Sequence, residues 1–202
     1  MHEVPIVYGL TIGEYAVMIN NEGWLNNNMK SNLTIIELKN YDRKITYDLP
    51  ILPSPNLPNR KSINLYPSLC LFEGTNVSAG RGTEMQFQIY GSPYLNKEKN
   101  NFRFTPKKNS GSKYPKHENL LCYGKNLSEN KKLDKFDLSF LLNAYSDTND
   151  KQNFFNNYFD KLAGTNSLKN QIISGLSEKK IIQSWKKKLD IYKEMRMKYL
   201  IY

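Results

Sequence analysis

The chain of 202 residues is long enough for one ordinary domain or one and a half. With 39% hydrophobic and 12% aromatic residues it can bury a core, which excludes a chain that is disordered by composition. Its formal net charge of +10 is compatible with a nucleic-acid partner, but 24 lysines against 5 arginines, together with 25 asparagines, are typical of a protein from an AT-rich genome.

The sequence does not indicate a membrane span, a metal site or a cofactor site. No apolar run approaches the length of a membrane span, and no signal peptide precedes the first ordered-looking residues, which leaves the cellular location open. Cys70 and Cys122 are far apart, and neither they nor His2 and His117 have the spacing of metal ligands. We therefore expect no metal, no cofactor, no nucleic acid, and two cysteines buried as small apolar side chains.

The first part of the chain is expected to hold a helix between two strands. Residues 4–8 predict a short strand or a lead-in, and Thr11 and Glu14 have the spacing of a capping box at the start of a helix. Residues 33–39, LTIIELK, are rich in β-branched side chains and predict a buried strand. Four prolines within residues 49–59 forbid a helix or a central strand, so we place a stiff connector and a domain boundary there.

The middle of the chain combines one helix with three strands. Residues 62–72 predict a short helix. Residues 85–90, MQFQIY, alternate apolar and polar side chains and predict a half-buried strand. Residues 102–105 and 120–127 are further strand candidates, separated by a loop rich in lysine, serine, glycine and proline.

From Asp134 onward the pattern is helical. Apolar side chains at helical spacing predict helices around 136–145, 153–162 and 168–174, followed by a last helix that begins after Ser177. We therefore predict an α+β fold: an α/β-like N-terminal remnant, a small mixed sheet packed by helices, and an all-helical C-terminal third. In the last helix Arg196 falls inside the apolar stripe, for which a buried ion pair is the favoured explanation.

One stretch, residues 71–83 (LFEGTNVSAGRGT), is too polar to be a core element. It holds one carboxylate, three glycines and an arginine, Arg81, whose guanidinium could hold a carboxylate or phosphate through two parallel hydrogen bonds. Its side chains that could bind a ligand are Glu73, Thr75, Asn76, Ser78, Arg81 and Thr83. From the residues alone, a structural glycine-rich loop and a functional site are both open.

Carboxylates are the best candidates for chemistry, because the chain lacks the phosphate-loop, dinucleotide-binding and nucleophile-elbow motifs. Paired carboxylates are the usual catalytic groups for cleavage of a glycosidic bond. Glu14 is explained by its capping box, Glu22 by a turn at the helix end, and Glu84 by a position at the start of a strand. Glu73 lacks such an explanation and is the preferred catalytic candidate.

Several segments, in order along the chain, resemble the C-terminal portion of the NamZ family. These are bacterial exo-β-N-acetylmuramidases that release terminal N-acetylmuramic acid from peptidoglycan fragments. The resemblance runs from about Pro5 to Tyr202, and the long polar motif makes it specific. The segments are YGLTIGEYAVMINNEGWL, LPILPSPNLPN, LYPSLCLFEGTNVSAGRGTEMQFQIYGSPYL, FDKLAGT and the closing RMKYLIY.

The resemblance implies a Rossmann-like N-terminal domain, a C-terminal auxiliary domain, and an active site in the cleft between them. Residues 1–59 would be the end of the first domain and residues 60–202 the auxiliary domain. The family's N-terminal half, with its PEHG-type acidic motif, is absent from this chain. The chain alone would then be incomplete, and a separate polypeptide could supply the missing half.

On this resemblance Glu73 would act as an acid, a base or a carboxylate that orients the substrate. Arg81 would hold the lactyl carboxylate of muramic acid or orient Glu73. The remaining polar side chains of the motif would bind sugar hydroxyls: Thr75, Asn76, Ser78 and Thr83. The alternative is a non-catalytic or vestigial module that binds cell-wall sugars or docks to a partner domain. A third hypothesis, charge-driven binding of nucleic acid, predicts affinity that falls steeply with salt.

Overall fold

The computed structural model describes residues 2–202. It divides into two compact units, one formed by the chain up to Asp48 together with Ile182–Tyr202, the other by Leu49–Ile181. The described residues form a small three-stranded antiparallel sheet and six α-helices. The predicted α+β class, with a small sheet and a helical C-terminal third, is confirmed.

Among the described residues the longest connection runs from the first 3₁₀ turn to α2, and further long loops precede β1, β3, α3 and α4. None of the helices described for residues 2–202 combines the length and apolarity needed to cross a bilayer. In chain order the elements are α1 (Ile12–Asn21), a 3₁₀ turn (Asn26–Asn28), α2 (Arg60–Leu69), a second 3₁₀ turn (Cys70–Gly74), β1 (Ile89–Ser92), β2 (Phe102–Phe104), β3 (Cys122–Asn126), α3 (Ser139–Asp147), α4 (Phe159–Ala163), α5 (Ser167–Ile173) and α6 (Glu178–Met197).

The first unit is built around α1 and the end of α6. The predicted capping box is present: Thr11 Oγ1 accepts from the Glu14 backbone N–H, and the Glu14 carboxylate accepts from the Thr11 N–H at 2.7 Å. Met18 on α1 packs with Leu10 and with Tyr192 of α6 in a small apolar cluster. The apolar face of α1 thus packs against α6.

Glu14 is also the electrostatic centre of this unit. Its carboxylate is fully buried, where it pairs with the Arg43 guanidinium and accepts from the Ile201 backbone N–H at 2.7 Å. Burial alone would raise its pKa, but the bonds from Arg43, Ile201 and Thr11 outweigh that effect and lower the pKa to about 2. Glu14 therefore joins the start of α1 to the C-terminus of the chain.

Two expectations for this unit are wrong, and for residues 4–8 the structure excludes the strand and leaves the lead-in. Residues 4–8 and 33–39 do not form strands, and the second segment is exposed rather than buried, with Ile36 at 85% of its full exposure. An extended segment becomes a strand only when a neighbouring strand takes up its backbone hydrogen bonds, and none of residues 2–202 does so here. Arg196 donates from Nε to the Gly9 carbonyl at 2.7 Å, which replaces the ion pair expected for it.

The second unit holds the sheet, in the order β1–β3–β2 with both pairings antiparallel. Gly124 sits at its centre, opposite Gly91 of β1 and Phe102 of β2. A Cβ at Gly124 would lie 1.8 Å from the Tyr90 carbonyl oxygen, so only glycine permits this close pairing. The predicted strands at 102–105 and 120–127 are confirmed in shorter form.

Other predicted elements begin later or are shorter than expected. The strand expected over 85–90 begins only at Ile89, because Gln88 N–H donates to the Met85 carbonyl in a turn and Phe87 adopts a φ of +52°. The helix expected over 136–145 begins at Ser139, and that over 153–162 is reduced to α4. The two cysteines are unpaired, Cys122 buried and Cys70 partly buried.

Candidate functional site

The polar stretch 71–83 forms a series of tight turns after α2. The Thr75 hydroxyl donates to the Phe72 carbonyl at 2.9 Å and accepts from the Val77 N–H at 3.0 Å. In the same way the Thr83 hydroxyl donates to the Gly80 carbonyl at 2.7 Å and accepts from a downstream N–H. These two hydroxyls therefore hold the loop's own backbone in shape.

The segment before α4 supports this loop from one side. The Asn76 N–H donates to the Phe154 carbonyl at 2.7 Å, and the Asn156 N–H donates to the Gly74 carbonyl at 2.9 Å. The Asn156 side chain adds a bond from Nδ2 to the Glu73 carbonyl at 3.1 Å. Three bonds to residues 73–76 thus fix the backbone on which the Glu73 carboxylate is carried.

Lys116 holds the same loop from a different segment of the chain. Its ammonium group donates to the carbonyls of Phe72 at 2.9 Å and Val77 at 3.1 Å, and also to that of Thr75. Burial lowers the pKa of Lys116 to about 8; the Glu73 carboxylate opposes this shift, and the Arg81 guanidinium adds to it. The loop therefore closes around a largely buried cation.

The next residue, His117, binds the carbonyl of Asn76, which lies between two of the residues whose carbonyls bind Lys116. Its Nε2 lies 2.6 Å from the Asn76 carbonyl oxygen, and since a carbonyl can only accept, Nε2 carries the proton. Burial lowers the pKa of His117, against the effect of this hydrogen bond. Ser92 Oγ is 3.4 Å from the same nitrogen, which already donates and cannot act as a base toward that hydroxyl.

A pocket of about 280 Å³ opens beside the loop. On its wall Arg81 Nη1 donates to Glu73 Oε1 at 2.7 Å, with the two side chains 40% and 31% exposed. Within the described part of the chain, Glu73 is the only carboxylate that lines the pocket, against the two cations Arg81 and Lys116, so the lining carries a net positive charge. The lining residues are Glu73, Val77, Ser78, Ala79, Arg81, Ser112, Tyr114, Lys116 and Tyr158.

The structure brings together three of the six side chains singled out from the sequence. Glu73, Ser78 and Arg81 line the pocket. Thr75 and Thr83 are used inside the loop, as described above. The Asn76 side chain also lies outside the lining; its amide oxygen and nitrogen are buried and have no hydrogen-bond partner among residues 2–202.

Sequence reasoning missed Lys116, Tyr114 and Tyr158 in the pocket. Lys116 gave no signal because it lies in a lysine-rich loop, where a solvated side chain is the ordinary expectation. The two tyrosines belong to segments that approach the loop only in the folded chain. No group of three His, Cys, Asp or Glu side chains suited to a metal ion occurs among residues 2–202.

The other carboxylates weighed from the sequence have structural surroundings. Glu22 ends α1, and its carboxylate accepts from the Tyr199 hydroxyl at 2.6 Å. Glu84 is exposed and lies outside the pocket lining.

The described residues thus form an α+β fold with a pocket whose lining carries a net positive charge. The chain belongs to the NamZ family. The sequence profile described as "Exo-beta-N-acetylmuramidase NamZ, C-terminal" matches residues 64–202, and the one described as "Exo-beta-N-acetylmuramidase NamZ, N-terminal" matches residues 1–61. The resemblance read from the sequence is confirmed.

Individual relatives agree with this assignment. The chain is 34% identical over 227 residues to the peptidoglycan beta-N-acetylmuramidase NamZ of Bacillus subtilis (strain 168), a match that covers all of this chain and 52% of that protein. A DUF1343 family protein of Bacteroides fragilis, of known crystal structure, matches with a TM-score of 0.94 and 43% identity over all of this chain and 57% of its own.

A second DUF1343 family protein of Bacteroides fragilis shares the fold, with a TM-score of 0.76 at 20% identity over 99% of this chain and 58% of its own. The chain thus spans little more than half the length of each of these relatives.

Proposed function

We propose that this chain is part of an exo-β-N-acetylmuramidase-like glycoside hydrolase that releases terminal N-acetylmuramic acid from peptidoglycan fragments. The observation that supports this most directly is the Glu73–Arg81 pair on the wall of a polar pocket, in a chain related to a peptidoglycan muramidase. The pocket's volume of about 280 Å³ is close to the lower end of the range for small-molecule sites.

Muramic acid differs from glucosamine by a lactyl ether that ends in a carboxylate. A net-positive pocket favours the acidic sugar, and Arg81 is the side chain best placed to bind its carboxylate, because its Nε is buried and has no hydrogen-bond partner among residues 2–202. Glu73 would serve as acid, base or orienting carboxylate. Ser78 would bind a sugar hydroxyl, while Thr75, Asn76 and Thr83 would support the loop that carries these groups.

Glycoside hydrolysis by the usual route needs two carboxyl groups, and Glu73 is the only one on the described pocket lining. We therefore propose that the family's N-terminal half, which the relatives contain and this chain largely lacks, supplies the second. In that arrangement residues 1–59 would complete the Rossmann-like domain and residues 60–202 would form the auxiliary domain.

Turnover of a chromogenic N-acetylmuramide tests this proposal. We expect the chain alone to show none, and a mixture with the purified N-terminal half of the Bacillus subtilis relative to release the chromophore. Glu73→Gln in the mixture should reduce the rate at least about tenfold if the carboxylate takes part in proton transfer. A folded mixture without turnover would contradict the enzymatic proposal.

The single carboxylate also favours a second candidate, a module that binds muramic acid sugars without cleaving them. Titration of the chain with N-acetylmuramic acid and with N-acetylglucosamine distinguishes the two candidates when it is combined with the turnover measurement. Binding of the acidic sugar that Arg81→Ala abolishes, with no hydrolysis in the mixture, would favour the binding module.

A further inference from the structure

The loop that carries the candidate site is held by two adjacent side chains from a distant part of the sequence. Lys116 bonds to the carbonyls of residues 72, 75 and 77, and His117 bonds to that of residue 76. We propose that Lys116 is the positioning residue of the pocket: its protonated ammonium fixes the backbone of residues 72–77 and so sets the Glu73–Arg81 pair to receive an anionic ligand.

The number of donors explains why the proton matters. An ammonium group has three N–H donors, one for each of the three carbonyls that it contacts. A neutral amine keeps two donors and turns a lone pair toward the third carbonyl, which would leave a carbonyl oxygen without its donor. Loss of the proton therefore loosens the backbone on both sides of Glu73.

Because of its position, loss of the Lys116 proton should also affect ligand binding directly. Lys116 itself lines the pocket beside Glu73 and Arg81, and its charge gives the lining its positive excess. Its pKa of about 8 places the loss of this charge within reach of ordinary measurements. Two charged side chains act on the pKa of Lys116: Glu73 raises it and Arg81 lowers it. The other ionisable side chains of residues 70–83, 113–118 and 158–160 are Cys70, Lys113, Tyr114, His117, Glu118, Tyr158 and Asp160.

The neighbouring groups that also show a shift titrate elsewhere. Burial raises the pKa of Cys70 to about 11, and burial lowers the pKa of His117 from its ordinary value. A midpoint near pH 8 that disappears in a Lys116 variant therefore identifies Lys116 as the titrating group.

The first experiment follows N-acetylmuramic acid binding by calorimetry between about pH 6 and pH 10, and its choice of ligand rests on the proposed function. The sugar's carboxylate stays ionised throughout this range. Affinity should be constant below about pH 8 and fall above it, by at most about tenfold per pH unit, with uptake of a proton on binding. Lys116→Met should weaken binding at least about tenfold at neutral pH and abolish the pH dependence.

Lys113→Met is the matched control, because it removes an exposed lysine from the same segment. It should retain both the affinity and the pH profile. Lys116→Arg keeps the positive charge and should bind more tightly than Lys116→Met. Equal binding by Lys116→Met and the wild-type chain, or an affinity that does not change through pH 8, would overturn the inference.

A second measurement needs no ligand. Backbone amide resonances of residues 72–78 should shift together with a midpoint near pH 8 in the wild-type chain and in Lys113→Met, and should not do so in Lys116→Met. If the Met variant fails to fold, the wild-type titration and Lys116→Arg decide the question. Failure of the wild-type chain to bind N-acetylmuramic acid would remove the proposed ligand, whereas amides that do not titrate would remove the role of Lys116.

Discussion

At the scale of single residues, the role proposed for Arg81 in ligand binding can be measured apart from its contribution to stability. The Glu73–Arg81 pair is partly exposed, so its own contribution to stability is small, about 1 kcal/mol or less. We expect Arg81→Met to lower the affinity for N-acetylmuramic acid roughly tenfold or more, while the thermal unfolding midpoint moves by only a few degrees. Calorimetric titration and thermal denaturation measure the two effects. An equal loss of affinity for N-acetylglucosamine would contradict a carboxylate-binding role.

Glu14 differs from Arg81, because its carboxylate is buried and hydrogen-bonded and therefore contributes to stability rather than to ligand binding. Its pKa in the folded chain is about 2, against an ordinary value of 4.5. A lowered carboxyl pKa stabilises the fold above the unfolded-state value, and this stabilisation is lost as the pH falls through 4.5 toward 2. We expect Glu14→Gln to lose about 3 kcal/mol of unfolding free energy at neutral pH and less in acid.

Urea denaturation of the wild-type chain and of Glu14→Gln at several pH values measures this difference. Glu84→Gln is the control, since Glu84 is exposed and lies outside the contacts of the first unit. A difference between wild type and Glu14→Gln that stays constant from neutral pH to about pH 3 would contradict the stated role of ionised Glu14.

Lys116 gives stability the same direction of pH dependence as Glu14, at higher pH, but here burial disfavours the charged form. Its pKa falls from 10.5 in the unfolded chain to about 8 in the fold, so between these values the unfolded state binds more protons. Stability from this group therefore rises with pH over that interval, by at most about 3 kcal/mol, while the affinity for the anion falls. We expect the unfolding free energy of wild type relative to Lys116→Met to increase between pH 8 and 10. A relative stability that falls over that interval would contradict this sign.

Some residues of the pocket can be predicted from the sequence, and others cannot. Glu73, Ser78 and Arg81 were found because they lie within nine consecutive residues whose polarity no core element explains. Lys116 and Tyr158 enter the same pocket from more than thirty and seventy residues away in the sequence. Only tertiary packing brings them there, and neither has a local pattern that sets it apart from other lysines and tyrosines.

At the scale of elements, the close approach of α4 to the second 3₁₀ turn decides how firmly Glu73 is held. A Cβ at Gly74 would lie 2.5 Å from the Phe159 Cα and 2.9 Å from its Cβ. We expect Gly74→Ala to cost about 2–4 kcal/mol, because backbone must move to relieve the overlap. The same change should weaken binding of N-acetylmuramic acid, since Glu73 is the adjacent residue.

Gly175→Ala is the matched control for Gly74→Ala. Gly175 has a φ of +70° and open space around its missing Cβ, so alanine there should cost only about 1 kcal/mol and leave ligand binding unchanged. Chemical denaturation of both variants checks the ranking. A larger loss at Gly175 would mean that close approach at Gly74 is not the dominant constraint.

The start of α1 has a local signal and was predicted well, whereas two segments with the pattern of a strand, residues 33–39 and 85–88, do not pair with a neighbouring strand. The capping box fixes the start of α1 through two bonds between Thr11 and Glu14. In contrast, residues 85–88 have the alternation of a strand but form a turn, because Phe87 takes a left-handed conformation that no sequence pattern marks. Residues 33–39 have the composition of a strand but no neighbour among residues 2–202.

At the scale of the whole molecule, the chain spans little more than half the length of the relatives that it matches. The profile of the NamZ N-terminal domain matches only residues 1–61 here, and the Bacillus subtilis relative is covered to 52%. We propose that the part of these relatives that this chain does not match covers the strand-like stretch at residues 33–39. Its exposed apolar side chains, through residue 47, are Leu33, Ile36, Leu38, Tyr41, Ile45 and Tyr47.

Such a row of exposed apolar side chains should be covered when the family's N-terminal half is present. We expect amide hydrogen exchange of residues 33–39 to slow at least about tenfold when the purified N-terminal half of the Bacillus subtilis relative is added. Ile36→Lys should abolish this protection, because Ile36 is 85% exposed in the chain alone and would become a buried charge on association.

Lys39→Glu is the control for Ile36→Lys, since it changes a charge at an exposed polar position of the same segment. It should retain protection, and the unfolding midpoints of both variants alone should match wild type because neither side chain is buried there. If protection survives in Ile36→Lys, or if exchange slows only outside residues 33–39, the contact lies on another surface. Protection that depends on Ile36 would instead mean that the segment completes a sheet whose other strands come from the N-terminal half.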